Sequence, residues 1–173
     1  ASYTAMQSMP GTGSYSGGGG KATCSTSTHI YGFMGGGNTV FQRYEIATGN
    51  WEGLSPTPWA QNYGAGLVWT GGDYIWAVQG ASTTGFARYE ISTNTWSSGY
   101  VQCPFAVYWA GTSLAYGGGD YIYLVQGGST STEYATNNFA RYSISGNTWT
   151  LLAFPTAGCG ASLVWAGSAT PQR

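Results

Sequence analysis

Charge is the scarcest property of this chain. Charged residues make up 6% of its 173 positions and the formal net charge is −1, where an ordinary soluble domain is roughly 25% charged. Five Lys and Arg cannot form the basic stripe that nucleic acid requires. Only one histidine is present, His29, and no local pattern builds a Ser-His-Asp or Cys-His arrangement around it. It reads as a surface residue at the start of a strand. Apolar runs stay far short of the ~18 residues of a membrane helix. Glu, Lys and Leu are too sparse for a coiled coil. The three cysteines, Cys24, Cys103 and Cys159, are odd in number and lie 79 and 56 residues apart. That spacing fits neither a closed disulfide framework nor a zinc site. They read as buried small hydrophobes or as one disulfide and one free thiol. If a pair forms, Cys103 with Cys159 is preferred, because both sit just ahead of equivalent strands. No catalytic residue, metal or cofactor is expected.

Aromatics, glycine and small hydroxyls are abundant. The chain holds 29 Gly, 14 Tyr and 8 Trp, and Ser and Thr together number 39. An aromatic share of 16% excludes disorder. With so little charge, this composition suits an extracellular or cell-surface protein. O-linked sugar on the Ser/Thr-rich loops would make it a glycoprotein; Asn-x-Ser/Thr sequons are absent.

Three segments repeat. Phe41-Gln-Arg43-Tyr44-Glu45-Ile46 leads to Trp51, Phe86-Ala-Arg88-Tyr89-Glu90-Ile91 to Trp96, and Phe139-Ala-Arg141-Tyr142-Ser143-Ile144 to Trp149. The arginines are 45 and 53 residues apart. Upstream of each lies a mostly apolar run closed by glycine: His29 to Gly36, Tyr74 to Ala81, and Tyr121 to Gly128. Gly64 to Trp69, Gly111 to Tyr116 and Gly160 to Trp165 form a third shared block. Each unit therefore predicts four short strands. The first is the Leu-Val-Trp block. A Gly-Gly-Asp turn precedes a strand buried on both faces. The third alternates faces. A tight Asn- or Gly-containing turn leads to the fourth, which begins at Trp. A proline (Pro58, Pro104, Pro155) ends each unit. Helical periodicity with caps is absent. Four antiparallel strands per 45–53 residues are the pattern of a propeller blade.

The paired glycines after strand two, the Arg-Tyr of strand three and the Trp eight residues beyond the Arg resemble a Kelch-type β-propeller repeat of the bacterial or archaeal extracellular kind. The resemblance covers essentially the whole chain and departs from the pattern at Ala81, where a second glycine is expected. On that reading Gly35, Gly36, Gly80, Gly127 and Gly128 turn the backbone and let a large ring pack above them. Tyr44, Trp51, Tyr89, Trp96, Tyr142 and Trp149 pack between blades. Arg43, Arg88 and Arg141 are structural, with Glu45 and Glu90 two positions on as candidate ion-pair partners. Kelch-type propellers also include copper radical oxidases of the galactose oxidase kind, whose several His ligands a single histidine cannot supply. The likeness of Ser143 to Trp149 to a sialidase box lacks the required Asp. Gly17 to Lys21 lacks the Ser or Thr of a phosphate loop and reads as a flexible lead-in.

The expected fold is all-β. Residues 1–10 would be the outer strand of a preceding blade, 11–56, 57–102 and 103–153 three blades, and 154–173 the first strand of a following one. Such a run does not close alone. The expected role is a non-catalytic extracellular structural or assembly module, completed by further blades of the same polypeptide or by neighbouring copies in a ring or filament. One alternative is a carbohydrate-binding propeller, with Trp59, Tyr63, Tyr100, Tyr108, Trp109 and Tyr134 as glycan contacts. Another is the non-catalytic part of a larger propeller enzyme.

Overall fold

The computed structural model describes residues 19–108, 111–128, 136–153 and 162–164. These residues form three four-stranded antiparallel sheets. Blade 1 contains β1 (Thr23–Ser25), β2 (His29–Phe33), β3 (Phe41–Glu45) and β4 (Asn50–Gly53). Blade 2 contains β5 (Gly66–Trp69), β6 (Tyr74–Val78), β7 (Phe86–Glu90) and β8 (Thr95–Ser97). Blade 3 contains β9 (Ser113–Tyr116), β10 (Tyr121–Val125), β11 (Phe139–Ser143) and β12 (Thr148–Leu152). In each sheet, strand order follows chain order, with β1, β5 and β9 at one edge. β1 adjoins β5 and β5 adjoins β9, so the blades succeed one another around a common inner edge, as in a propeller that is not closed. The first strand of blade 1 forms without a Leu-Val-Trp block. The expected strand in 1–10 lies outside the described residues. Of 154–173 only 162–164 are described, without strand structure; there the Leu163 N–H donates to Ser113 Oγ of β9 at 3.0 Å.

The turns form where the sequence places residues that tolerate left-handed backbone. Gly71, Gly72, Gly118 and Gly119 have φ of 85°, 56°, 81° and 60°. Between strands three and four of each blade stand Gly49 (φ 76°), Asn94 (52°) and Asn147 (46°); Asn is the side chain best suited to that region after Gly. These hairpins set Tyr44 opposite Trp51, Tyr89 opposite Trp96 and Tyr142 opposite Trp149.

Two aromatic clusters form the joints between blades. In the first, Phe41 of blade 1 meets Tyr89 edge-on at 4.9 Å and Trp96 at 5.0 Å. In the second, Phe86 of blade 2 meets Tyr142 at 4.8 Å and Trp149 at 5.1 Å. These edge-to-face geometries suit the ring quadrupoles. Tyr31 and Phe33 of blade 1, with Leu67 and Ile75 of blade 2, complete the first cluster. Trp76 of blade 2, with Leu114 and Ile122 of blade 3, completes the second. The Tyr and Trp of one blade thus clasp the Phe of the preceding one.

Polar clamps repeat with the rings. Asn94 Oδ1 accepts from Ser55 N–H (2.9 Å) and Tyr89 O–H (2.8 Å), while Trp96 Nε1 donates to Ser55 O (3.1 Å). Asn147 Oδ1 likewise takes Val101 N–H (2.9 Å) and Tyr142 O–H (2.8 Å), and Trp149 Nε1 donates to Val101 O (3.1 Å). Within blades 2 and 3 an aspartate brackets the hairpin. Asp73 accepts from the Ser92 N–H and hydroxyl, and Asp120 from the Ser143 hydroxyl and Ser145 N–H. Blade 1 departs from the pattern: Thr28 stands in place of Asp73, Ala47 of Ser92 and Gly49 of Asn94.

Asn94→Ala removes the clamp and leaves at φ 52° an alanine, which tolerates left-handed backbone less well than asparagine. The lost hydrogen bonds contribute about 1 kcal/mol where solvent replaces them, and the left-handed backbone adds about 1 kcal/mol. A urea titration should show about 2 kcal/mol of destabilisation, and about half that for Asn94→Gly, which keeps the backbone relaxed.

Candidate functional site

The few charges are bound into the scaffold, though not as the sequence suggested. Arg43 does not pair with Glu45. It pairs with Glu52, directly opposite on β4, at 2.7 Å. In an antiparallel sheet the opposite residue is nearer than the residue two positions along the same strand. Ser97 and Thr150 stand opposite the other two arginines, so these find rings instead. The Arg88 guanidinium lies 4.1 Å from the Tyr74 ring centre and 5.3 Å from that of Tyr100. Arg141 lies 4.5 Å from Tyr121. Glu45 accepts from Thr48, and Glu90 from Tyr74 and Thr93. His29 fills the place of Tyr74 and Tyr121, where its Nδ1 meets the Thr28 hydroxyl at 2.9 Å. Among the described residues, no three His, Cys, Asp or Glu side chains lie close enough to share a metal ion.

The glycine pairs also do something other than expected. Gly35 and Gly80 do turn the backbone, with φ of 68° and 75°. Backbone, not a ring, lies above them. A β-carbon on Gly80 would come within 2.4–2.6 Å of Tyr63 O, Ala65 N and Asn62 O. One on Gly35 would meet Gly19 O at 2.6 Å. The segment leading into the inner strand crosses directly over the turn and leaves no room for a ring. Gly36 continues the turn at φ 70°, and Ala81 adopts φ 56° despite its side chain. Gly127 and Gly128 are buried. Rings do cover Gly19, Gly85 and Gly117, which meet Tyr63, Trp59 and Tyr123 respectively. Gly19 and Gly20 are therefore wedged against Tyr63 and the Asn62 backbone, rather than serving as a flexible lead-in.

Cys103 is a free, buried thiol, 4% exposed, in the second cluster. Cys24 is also free. Cys159, and with it the expected pair, lies outside the described residues. Burial pushes the Cys103 thiol from its ordinary 9.0 up to about 12 and the Tyr142 phenol from 10.0 to about 12. Both groups stay neutral in the folded chain and ionise more readily once it unfolds. Their contribution to stability is therefore complete below about pH 9 and is lost as pH rises toward about 12. Iodoacetamide at pH 8, followed by peptide mapping, should leave Cys103 unmodified in the native chain and alkylate it in urea.

Of the candidate glycan contacts, Tyr63 is spent on Gly19, and Tyr100 packs edge-on against Trp76 at 4.7 Å. Tyr108 lies in the segment leading to β9, where its carbonyl accepts from Thr112. Trp109 and Tyr134 lie outside the described residues. Trp59 differs from these: it is half-buried beside a cleft of about 180 Å³ at the rim of the first joint. Pro58, Gln79, Gly85, Phe86, Ser98 and Gln102 also line that cleft. The sequence marked Trp59 but missed the glutamines, whose role emerges only once the blades pack. A second cleft, of about 280 Å³, lies on the far side of blade 3 between Ala115, Tyr123, Phe139, Leu163 and Val164.

No protein-family model matches the chain, and no curated protein matches it. Among solved structures, that of YjhT superposes with a TM-score of 0.64 at 15% sequence identity. The match covers 88% of this chain and 56% of that one, so the three blades span little more than half of their structural neighbour.

Proposed function

We propose that this chain is a non-catalytic, extracellular assembly module of Kelch-type blades. It works by joining blade to blade, either to further blades of its own polypeptide or to neighbouring copies. The observation that carries this reading is the far side of blade 3. Tyr123 and Phe139 occupy the places of Trp76 and Phe86, each 1% exposed within the second joint. On blade 3 both stay half-buried, beside the second cleft and the 89% exposed Val164. The second cleft beside them has room for more apolar surface, which favours association.

The absence of strong charge supports the reading, since little repulsion opposes contact between copies. So does the use of Arg43, Arg88, Arg141, Asp73 and Asp120 in local contacts, which leaves few groups for acid-base work. Size-exclusion chromatography with light scattering, together with negative-stain electron microscopy, tests it. Concentration-dependent oligomers, rings or filaments are expected, and Tyr123→Asp should disperse them. A compact monomer at every concentration would overturn association between copies.

A further inference from the structure

The outer edges of the three blades are not alike. A strand that ends a sheet presents unpaired N–H and C=O groups to any chain able to pair with them, and proteins blunt such edges by keeping them short or placing charge on them. In blade 1, β4 carries Glu52, whose side chain is 59% exposed. In blade 2, β8 stops after three residues at Ser97 and runs into Ser98 and Gly99. β12 has neither device. It runs for five residues, Thr148-Trp149-Thr150-Leu151-Leu152, all paired with β11 and none charged. Thr150 stands where Glu52 stands, opposite the arginine. Leu151 stands where blade 1 has Gly53, a place with nothing within 4 Å of a β-carbon. Leu151 is 65% exposed, so blade 3 puts a leucine where its own chain does not cover it.

Register decides which backbone groups point outward. Alternate residues of an antiparallel strand bond to a given neighbour. In blade 1 the Leu54 N–H donates to Phe41 O at 2.9 Å, and Leu152 holds the same place opposite Phe139. By that alternation Leu152, Thr150 and Thr148 bond to β11, while Trp149 and Leu151 turn their N–H and C=O groups away from it. Nothing among the described residues accepts from those two N–H groups.

We propose that β12 docks β12 of a second copy, the two strands pairing antiparallel about a two-fold axis between their Thr150 residues. The strand's self-complementarity names the occupant. In this one register Trp149 of each copy stands opposite Leu151 of the other, so the outward groups of both residues are satisfied together. Thr150 faces Thr150, a favourable cross-strand pair. Trp149 and Leu151 share one side of the strand. Val101, whose carbonyl accepts from the Trp149 indole, is 49% exposed there. Each leucine therefore lands beside the half-buried indole and the valine of the other copy, removing apolar surface from water. Neither strand carries a charge to oppose the approach, as Glu52 would on β4. The same patch serves both copies, so the contact closes at two. It lies on the outer edge and not on the far side of blade 3, and is independent of the association proposed above.

The test uses the whole chain, read by light scattering over a concentration series. Tyr123→Asp, which acts on the far side, should leave this dimer in place. Leu151→Lys, at an exposed position where the fold does not depend on leucine, should weaken the dimer about tenfold or more, since lysine is a common guard of strand edges. Thr150→Cys reads the register. Directly opposed residues of a pair that is not hydrogen-bonded have α-carbons about 4.5 Å apart, within disulfide reach. Mild oxidation should therefore cross-link Thr150→Cys into a dimer on a non-reducing gel, and should do so far better than Thr148→Cys, which faces Leu152, or the parent chain. A dimer that survives Leu151→Lys, or equal cross-linking of the two cysteine variants, would overturn the proposal. Association abolished by Tyr123→Asp alone would also overturn it and leave the far-side contact standing.

Discussion

Replacing Phe86 with alanine should destabilise the chain by about 3–5 kcal/mol, the usual range for truncating a fully buried phenylalanine. Phe86 is 1% exposed and touches rings from both sides of the second joint: Trp76 of its own blade at 5.1 Å, and Tyr142 and Trp149 of the next. Its removal deletes apolar burial and three ring contacts, each worth about 0.5–1.5 kcal/mol beyond area. The hole cannot collapse easily. Its walls are strands fixed by ladders on either side, and the Asn147 and Trp149 clamps hold blade 3 at its present distance. Phe86→Leu should cost much less, about 1–2 kcal/mol, because most of the volume remains. Urea unfolding followed by tryptophan fluorescence reads both. Because each blade touches only its neighbours, the alanine variant should unfold in two steps, blade 3 separating first. A loss below about 1 kcal/mol would mean that the joint is not held by this clasp.

Gly80→Ala should cost a similar amount, about 3–4 kcal/mol, through a different mechanism. Left-handed backbone costs an alanine about 1–2 kcal/mol, and Gly80 has φ 75°. The remainder is steric. Three backbone atoms of residues 62–65 lie within 2.4–2.6 Å of where the methyl would go, and backbone cannot rotate away as a side chain can. The segment must lift, and it carries Ala65 and Leu67 into the first cluster. The neighbouring position separates the two causes. Ala81 already has φ 56°, so Ala81→Gly relieves strain without any change in contact and should stabilise the chain by about 0.5 kcal/mol. Equal and small effects at both positions, measured by chemical denaturation, would refute the crossing of backbone over Gly80 as the reason for glycine there.

Much of this architecture was legible in the sequence because a repeat reports its own geometry. The spacing of the repeated blocks predicted the four strands, and the likeness to a propeller repeat implied that Tyr and Trp pack between blades, but the clasp of Phe41 and Phe86 by those rings was not foreseen. Contacts made across strands or blades were not legible. Arg43 chose Glu52 over Glu45 because the register puts Glu52 opposite it, and spacing along one strand cannot show register. The glycine pairs signalled a tight turn, but not that the inner-strand segment crosses it. The Trp59 cleft was half legible: the ring stood outside the repeat-locked set, yet Gln79, Ser98 and Gln102 come to line it only once the blades pack.

Blade 1 lacks the aspartate bracket and the asparagine that blades 2 and 3 share, with Thr28, Ala47 and Gly49 at those places. Its hairpin between β3 and β4 therefore lacks two of the ties that hold the other two, and the Arg43–Glu52 pair found there is a surface ion pair that contributes little. In an array of units that touch only their neighbours, a unit with fewer ties opens without disturbing the others. The chain thus has a polarity in its breathing: amide protons of β3 and β4 exchange with solvent through frequent local openings, while those of β6 and β7, covered on both sides by joints, wait for the whole array to come apart.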